Sequence, residues 1–144
     1  MSAVDLAYAR LNSEEGRRSF AYNDATGKRV TCQPGGNLSI AVGVNLETGL
    51  DDDEIDWLSK HRLQLCADGL AVYTWYQGMD EVRQSVFLDI AFNAGLKGLL
   101  HYPHMIAFAA AKDWIDAAKE CVTSTPGLQK RYTNLARILD SGQP

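Results

Sequence analysis

A chain of 144 residues with 46% hydrophobic content is long enough for one domain with its own packed core, without disulfides or metals to hold it together. The charged fraction of 22% excludes a self-repelling disordered chain, and a net charge of −4 excludes the basic footprint of a nucleic-acid binder. The same mild acidity, with a pI near 5.3, excludes long-range attraction toward a polyanionic partner. Three cysteines, Cys32, Cys66 and Cys121, lie far apart without ligand spacing, and an odd count leaves at least one thiol unpaired. Reduced thiols of a cytosolic protein are the simplest reading. The first residues carry no basic and apolar leader, and no window approaches the ~20 apolar residues of a membrane span. No export signal and no membrane insertion are therefore expected.

In chain order, Val4, Tyr8 and Leu11 share one helical face with Ala7 beside them, and Gly16 is a plausible stop. Residues 17–50 change character. Gly27, Gly35, Gly36, Gly43 and Gly49, with Pro34, punctuate β-favouring pieces such as residues 38–42, which predicts a small irregular β region. Asp51 and Glu54 then stand at capping-box spacing, in an acidic cluster suited to a helix N-terminus rather than to a calcium loop. From Ile55 to about Leu70, the residues Ile55, Leu58, Leu65 and Cys66 recur at helical spacing. A helix of ~20 residues spans ~30 Å, enough to join two lobes.

The remainder is helical in pattern. Val82, Val86, Ile90 and Phe92 predict an apolar helix ending at Gly95, followed by helices over residues 105–111, 113–122 and 129–139, the last closed by Gly142. The fold class is α+β: one helix, a small β region, then a helical lobe. His61, His101 and His104 match no metal-ligand spacing, so neither a metal nor another cofactor is implied.

Two carboxylates stand out. Glu15 ends the first amphipathic run, and Asp24 follows nine residues later in a turn-rich segment. A carboxyl at a helix end and a second on the next loop can supply acid and base for glycosidic cleavage. Taken singly, Glu15 is an ordinary surface glutamate, Asp24 a turn residue and Ser39 a strand serine. Their order changes that. Glu15 and Gly16; Tyr22, Asn23 and Asp24; Ser39, Ile40, Ala41, Val42 and Gly43 with Asn45 and Leu46; Arg83 and Asp89 through Gly95; Trp114 in its helix; and Arg131 before Gly142 together resemble the T-even-type phage lysozymes, glycoside hydrolase family 24.

That resemblance spans nearly the whole chain. It implies a single lysozyme-like domain over residues 1–144, with a small β-containing lobe at about 15–60 and a larger helical lobe at 61–144 plus the N-terminal helix, joined by a long helix. It implies a monomeric muramidase acting on cell-wall peptidoglycan, with Glu15 as general acid and Asp24 as base or electrostatic stabiliser. Ser39 would hold the attacking water and Arg131 would orient Glu15. Phe92 and Asn93 are either cleft residues, Asn93 bonding an acetamido sugar, or a core residue and a helix cap. Leu46 is a candidate substrate contact, or else a core or hinge residue. The setting implied is a phage endolysin held in the host cytoplasm until a holin releases it, or a virion-associated enzyme. Three departures from the family pattern are visible. Ser39 lies fifteen residues after Asp24 where the family spaces about six, Ala41 replaces a usual glycine, and Val44 replaces a frequent histidine. The alternative is a lysozyme-like protein that grips glycan or a protein partner without turnover.

Overall fold

The computed structural model describes residues 1–23, 25–31, 38–122 and 128–144. Among these the order is α1 (Ala3–Glu15), β1 (Ser39–Ile40), β2 (Val44–Asn45), α2 (Asp52–Leu70), α3 (Thr74–Gln77), α4 (Glu81–Leu99), α5 (Pro103–Ala110), α6 (Trp114–Cys121) and α7 (Gln129–Ser141). The architecture is mainly helical α+β, and its β part is slighter than the sequence suggests. It consists of one antiparallel hairpin, Ser39 facing Asn45 and Ile40 facing Val44, and an isolated bridge between Tyr22 and Arg29. Residues 41–43 make the hairpin turn, with Ala41 at φ 52, so the left-handed conformation that glycine would take freely is borne by a residue with a Cβ.

Helix α1 starts at a reciprocal cap, in which the Asp5 amide donates to Ser2 Oγ at 3.2 Å and the Ser2 amide donates to Asp5 Oδ2 at 3.3 Å. It ends at Gly16, whose φ of 72 no longer continues the helix. Its buried line is Ala3, Ala7 and Leu11, with Val4 and Tyr8 at the edge, so the inner face is turned slightly from the expected one. Helix α2 starts at the expected capping box, Glu54 N to Asp51 Oδ1 at 2.8 Å and Asp51 N to Glu54 Oε2 at 3.0 Å. Its inner face differs from the one the spacing predicts. Leu58 and Leu65 point outward, and Leu63 and Leu70, seven residues apart, are the buried pair. Leucines lie on two sides of this helix, and packing against α1 and α4 selected one of them.

Helix α4 is the centre of the molecule, packing on α1, α2 and α7. Residues 85–91 are buried without interruption, Ser85 and Asp89 included. A helix buried on every side reads as a continuous apolar run, which fits Val86, Phe87, Leu88, Ile90 and Ala91. Each such large side chain contributes about 1.5–3 kcal/mol by leaving water. The expected break at Gly95 is present as a kink (φ 74, ψ 161) inside Glu81–Leu99. Tyr73, Trp75 and Tyr76, around the short α3, cluster with Phe87 and cover the side of the core near α5. Helix α7 ends at Gly142, in the left-handed conformation (φ 66), where Arg83 Nε and Nη2 donate to the carbonyls of Leu139 (2.8 Å) and Asp140 (2.9 Å). Arg83 also covers the half-buried Trp114 ring at 4.3 Å, which places Trp114 against the core.

Candidate active site

Glu15 is the last residue of α1, and its side chain keeps 47% of its surface exposed. It does not stand alone. Arg131 Nη1, from the first turns of α7, donates to Glu15 Oε1, and Arg131 Nε lies 3.4 Å from Glu14 Oε2. The guanidinium is only 10% exposed, and its other edge is committed inward: Nε (3.0 Å) and Nη2 (2.7 Å) both donate to Asp89 Oδ1 on α4. Asp89 is 0% exposed. Its second oxygen, Oδ2, accepts from Arg10 Nε at 2.9 Å, and Arg10 Nη2 reaches the carbonyl (2.8 Å) and hydroxyl (3.2 Å) of Ser85.

The four side chains form a closed circuit: Arg10 on α1, Asp89 on α4, Arg131 on α7, and Glu15 back on α1. A buried carboxylate is tolerated only when paired and bonded, and Asp89 meets both conditions. Breaking one arm would leave an uncompensated buried charge, a change that costs about 3–5 kcal/mol. Burial disfavours the Arg131 charge, but Asp89 and then Glu15 outweigh it, so the guanidinium is held above its ordinary value. Every buried side-chain nitrogen and oxygen among the described residues has a partner.

Two grooves meet at Glu15. The larger, about 610 Å³, runs between the end of α1 and the start of α7, lined by Ser13, Glu14, Glu15, Leu128, Lys130, Arg131 and Asn134. A smaller one, about 80 Å³, lies toward α2, where Glu15 shares the walls with Leu11, Arg17, Ile55, Ser59 and Phe92. Phe92 is 37% exposed and so is not a core residue; it also lines a third groove of about 430 Å³ with Arg62, Leu65, Cys66, Gly95 and Leu96. Asn93 donates from Nδ2 to the Asp89 carbonyl (2.7 Å) and to Asp89 Oδ1 (3.3 Å). That bond ties the Asn93 side chain to its own helix and to the charged circuit, while the residue itself stays exposed.

The structure thus brings Glu15, Arg131 and Phe92 together, with Asn93 one bond behind them. Ser39 sits exposed on β1, its hydroxyl making no hydrogen bond among the described residues, and it lines none of the three grooves. Leu46 follows β2, half-buried, its amide bonded to the Leu38 carbonyl at 2.7 Å, and it lines none of them either. Asp24 lies outside the described residues. Among the described residues, no group of three or more His, Cys, Asp or Glu could hold a metal, and no helix is long and apolar enough to cross a membrane.

Of the circuit, Arg10 escapes a reading of the sequence, and Asp89 enters it only as part of a motif, without a role. Arg10 looks like the polar side of an amphipathic helix. Asp89 interrupts the run of residues 85–91, and a charged residue inside an otherwise apolar helical stretch is the signal that could have marked it. Compared with known proteins, the chain matches no family model and no curated protein.

Proposed function

We propose that the chain is a lysozyme-like peptidoglycan hydrolase that cleaves the β-1,4 bond between N-acetylmuramic acid and N-acetylglucosamine, with Glu15 as general acid. One observation carries the reading: a half-exposed carboxyl at a helix end, at the meeting of two grooves, aimed by a guanidinium that is itself locked in the core. A proton donor must be reachable by the leaving oxygen yet held in one orientation, and this arrangement meets both demands. Glu15 protonates the glycosidic oxygen, Asp24 activates water or stabilises the oxocarbenium-like centre, and the Ser39 hydroxyl positions that water. Inversion requires the two carboxyls ~6.5–9.5 Å apart, leaving room for the nucleophile. Phe92, which lines two of the grooves, offers apolar contact to the sugar rings, and no cofactor takes part. The enzyme acts as a monomer on cell-wall peptidoglycan, released to the wall from the host cytoplasm with a holin's help or carried in a virion.

Glu15→Gln keeps the shape and removes the proton, so lysis of wall fragments, followed by turbidity, is expected to fall ~10²–10⁴-fold. Undiminished lysis in that variant would sink the assignment. The second reading, a protein that binds glycan without turnover, draws on the direct Arg131 contact, because a guanidinium against a carboxyl favours the anion unless its charge is offset. Wild type that sediments with walls but clears none supports it. A transglycosylase, needing one carboxylate, would keep activity in Asp24→Ala and release an anhydro sugar, identifiable by product mass.

A further inference from the structure

We propose that Asp89 is the positioning residue of this site: it fixes the Arg131 fork so that Nη1 is aimed at Glu15 and holds that carboxyl in place. The inference rests on the proposed role of Glu15 as donor. Asp89 is 0% exposed and can touch no substrate, so it acts only through Arg131. Two of the arginine's three donor nitrogens are committed to Asp89 Oδ1, which fixes the plane of the fork and leaves Nη1 pointing at Glu15. The reference point is α1 itself. Arg10 holds Asp89 Oδ2 and stands five residues before Glu15 on the same helix, so the circuit sets the distance between the end of α1 and the start of α7.

The charges decide the direction of the effect. Around Glu15 stand Glu14 and Tyr8 from α1, Arg17 from the segment after it, and Arg131 and Lys130 from α7, while Asp89 from α4 and Arg10 from α1 stand behind Arg131 in the ion-paired chain. Arg17 is engaged by Asp52 and Asp56 of α2. Asp89 is the buried anion among them. Replacing it by asparagine keeps the size and removes that charge, so Arg131 and Arg10 lose the buried anion they share. The Glu15 anion is then favoured, and its proton leaves at lower pH. Replacing Arg10 by glutamine does the reverse. Asp89 loses half of its neutralisation, the surroundings of Glu15 become more negative, and the proton is held to higher pH.

The test is the pH profile of wall lysis for the wild type, Asp89→Asn and Arg10→Gln, with kcat and the half-saturating wall concentration measured separately. The basic limb, where a general acid loses its proton, is expected to move down by ~1 pH unit in Asp89→Asn and up in Arg10→Gln. kcat in Asp89→Asn is expected to fall ~10–100-fold at neutral pH with half-saturation within ~2-fold. Lower activity in both variants with the limb unmoved would mean a merely structural role and overturn the proposal. If Asp89→Asn does not fold, the upward shift in Arg10→Gln decides alone. Carbon-13 NMR titration of the Glu15 carboxyl in the same proteins reads the coupling without turnover. Opposite shifts there uphold the action of Asp89 on Glu15 even if Glu15→Gln still lyses walls, whereas identical titrations refute it.

Discussion

At the scale of single residues, Cys121 shows how far burial alone changes chemistry. Its thiol is closed inside the packing of α6, and burial, with the nearby Asp89 charge second, pushes it up to about 12. At pH 8 roughly one such thiol in ten thousand is ionised, and the thiolate is the reactive form. Cys66 is also pushed up by burial but lies half-buried at the α2–α4 groove. Iodoacetamide at pH 8 is therefore expected to leave Cys121 unlabelled in the native protein and to label it once urea unfolds the chain, by peptide mass mapping. Native labelling of Cys121 at the rate of an open thiol would show that the α6–α7 packing is looser than described. The same residue scale contains the candidate site. Glu15 and Arg131 were legible as a pair because each stands at a helix terminus in a recognisable order. The roles of Asp89 and Arg10 were not, because a buried ion pair depends on three helices meeting.

At the scale of elements, the helix ends carry much of the local information. Asp51, Asp80 and Asp113 all cap a helix through the amide three residues on. The end of α5 is a Schellman closure, in which the Asp113 amide donates to the Phe108 carbonyl (2.9 Å) and the Lys112 amide donates to the Ala109 carbonyl (3.0 Å). That geometry places Lys112 at φ 60, where a side chain is disfavoured. Lys112→Gly is expected to stabilise the protein by about 0.5–1 kcal/mol, the relief exceeding the extra chain entropy of glycine, and to raise Tm by ~1–4 °C in calorimetry. An unchanged or lowered Tm would show that Lys112 has compensating contacts. Helix positions were readable throughout α4 to α7 because periodicity and caps are local. The choice of inner face was less so. Leu58 and Leu65 of α2 carry the right spacing on the wrong side, since spacing specifies a stripe but not which stripe meets a neighbour.

At the scale of the molecule, Arg17 ties the end of α1 to the beginning of α2. Its Nη1 donates to Tyr8 (2.9 Å) and Asp56 (2.5 Å), and its Nη2 donates to the Asp52 side chain (2.8 Å) and carbonyl (3.1 Å). Tyr8 also donates to Asp56 at 2.5 Å. These hydrogen bonds, from Tyr8 first and Arg17 next, hold the Asp56 carboxyl below its ordinary range. A carboxyl lowered in the folded state adds stability that is complete above its ordinary value, near pH 4, and is lost as pH falls through the folded value. Arg17→Met is thus expected to lower Tm at pH 7 and to flatten its fall as pH drops below about 4, with less difference from wild type at high salt because the clasp is largely exposed. Parallel acid profiles in the two proteins would show that the clasp adds nothing to acid stability.

Local chemistry was enough for much of this protein. Alternating polarity, caps and glycine stops are written in neighbouring residues, so the longer helices and the terminal Glu15 could be placed from the order of amino acids, whereas the short α3 and the exact hairpin turn at residues 41–43 could not. The strain at Ala41 was equally local, because it follows from a Cβ in a left-handed turn. Long-range geometry had to be supplied by folding. Whether Leu58 or Leu63 faces inward, whether Phe92 is core or groove wall, and what Asp89 does inside an apolar helix depend on which surfaces meet across sequence gaps of tens of residues. The circuit from Arg10 to Glu15 exists only because α1, α4 and α7 converge, and burial there turns an isolated aspartate into the hub of the candidate site.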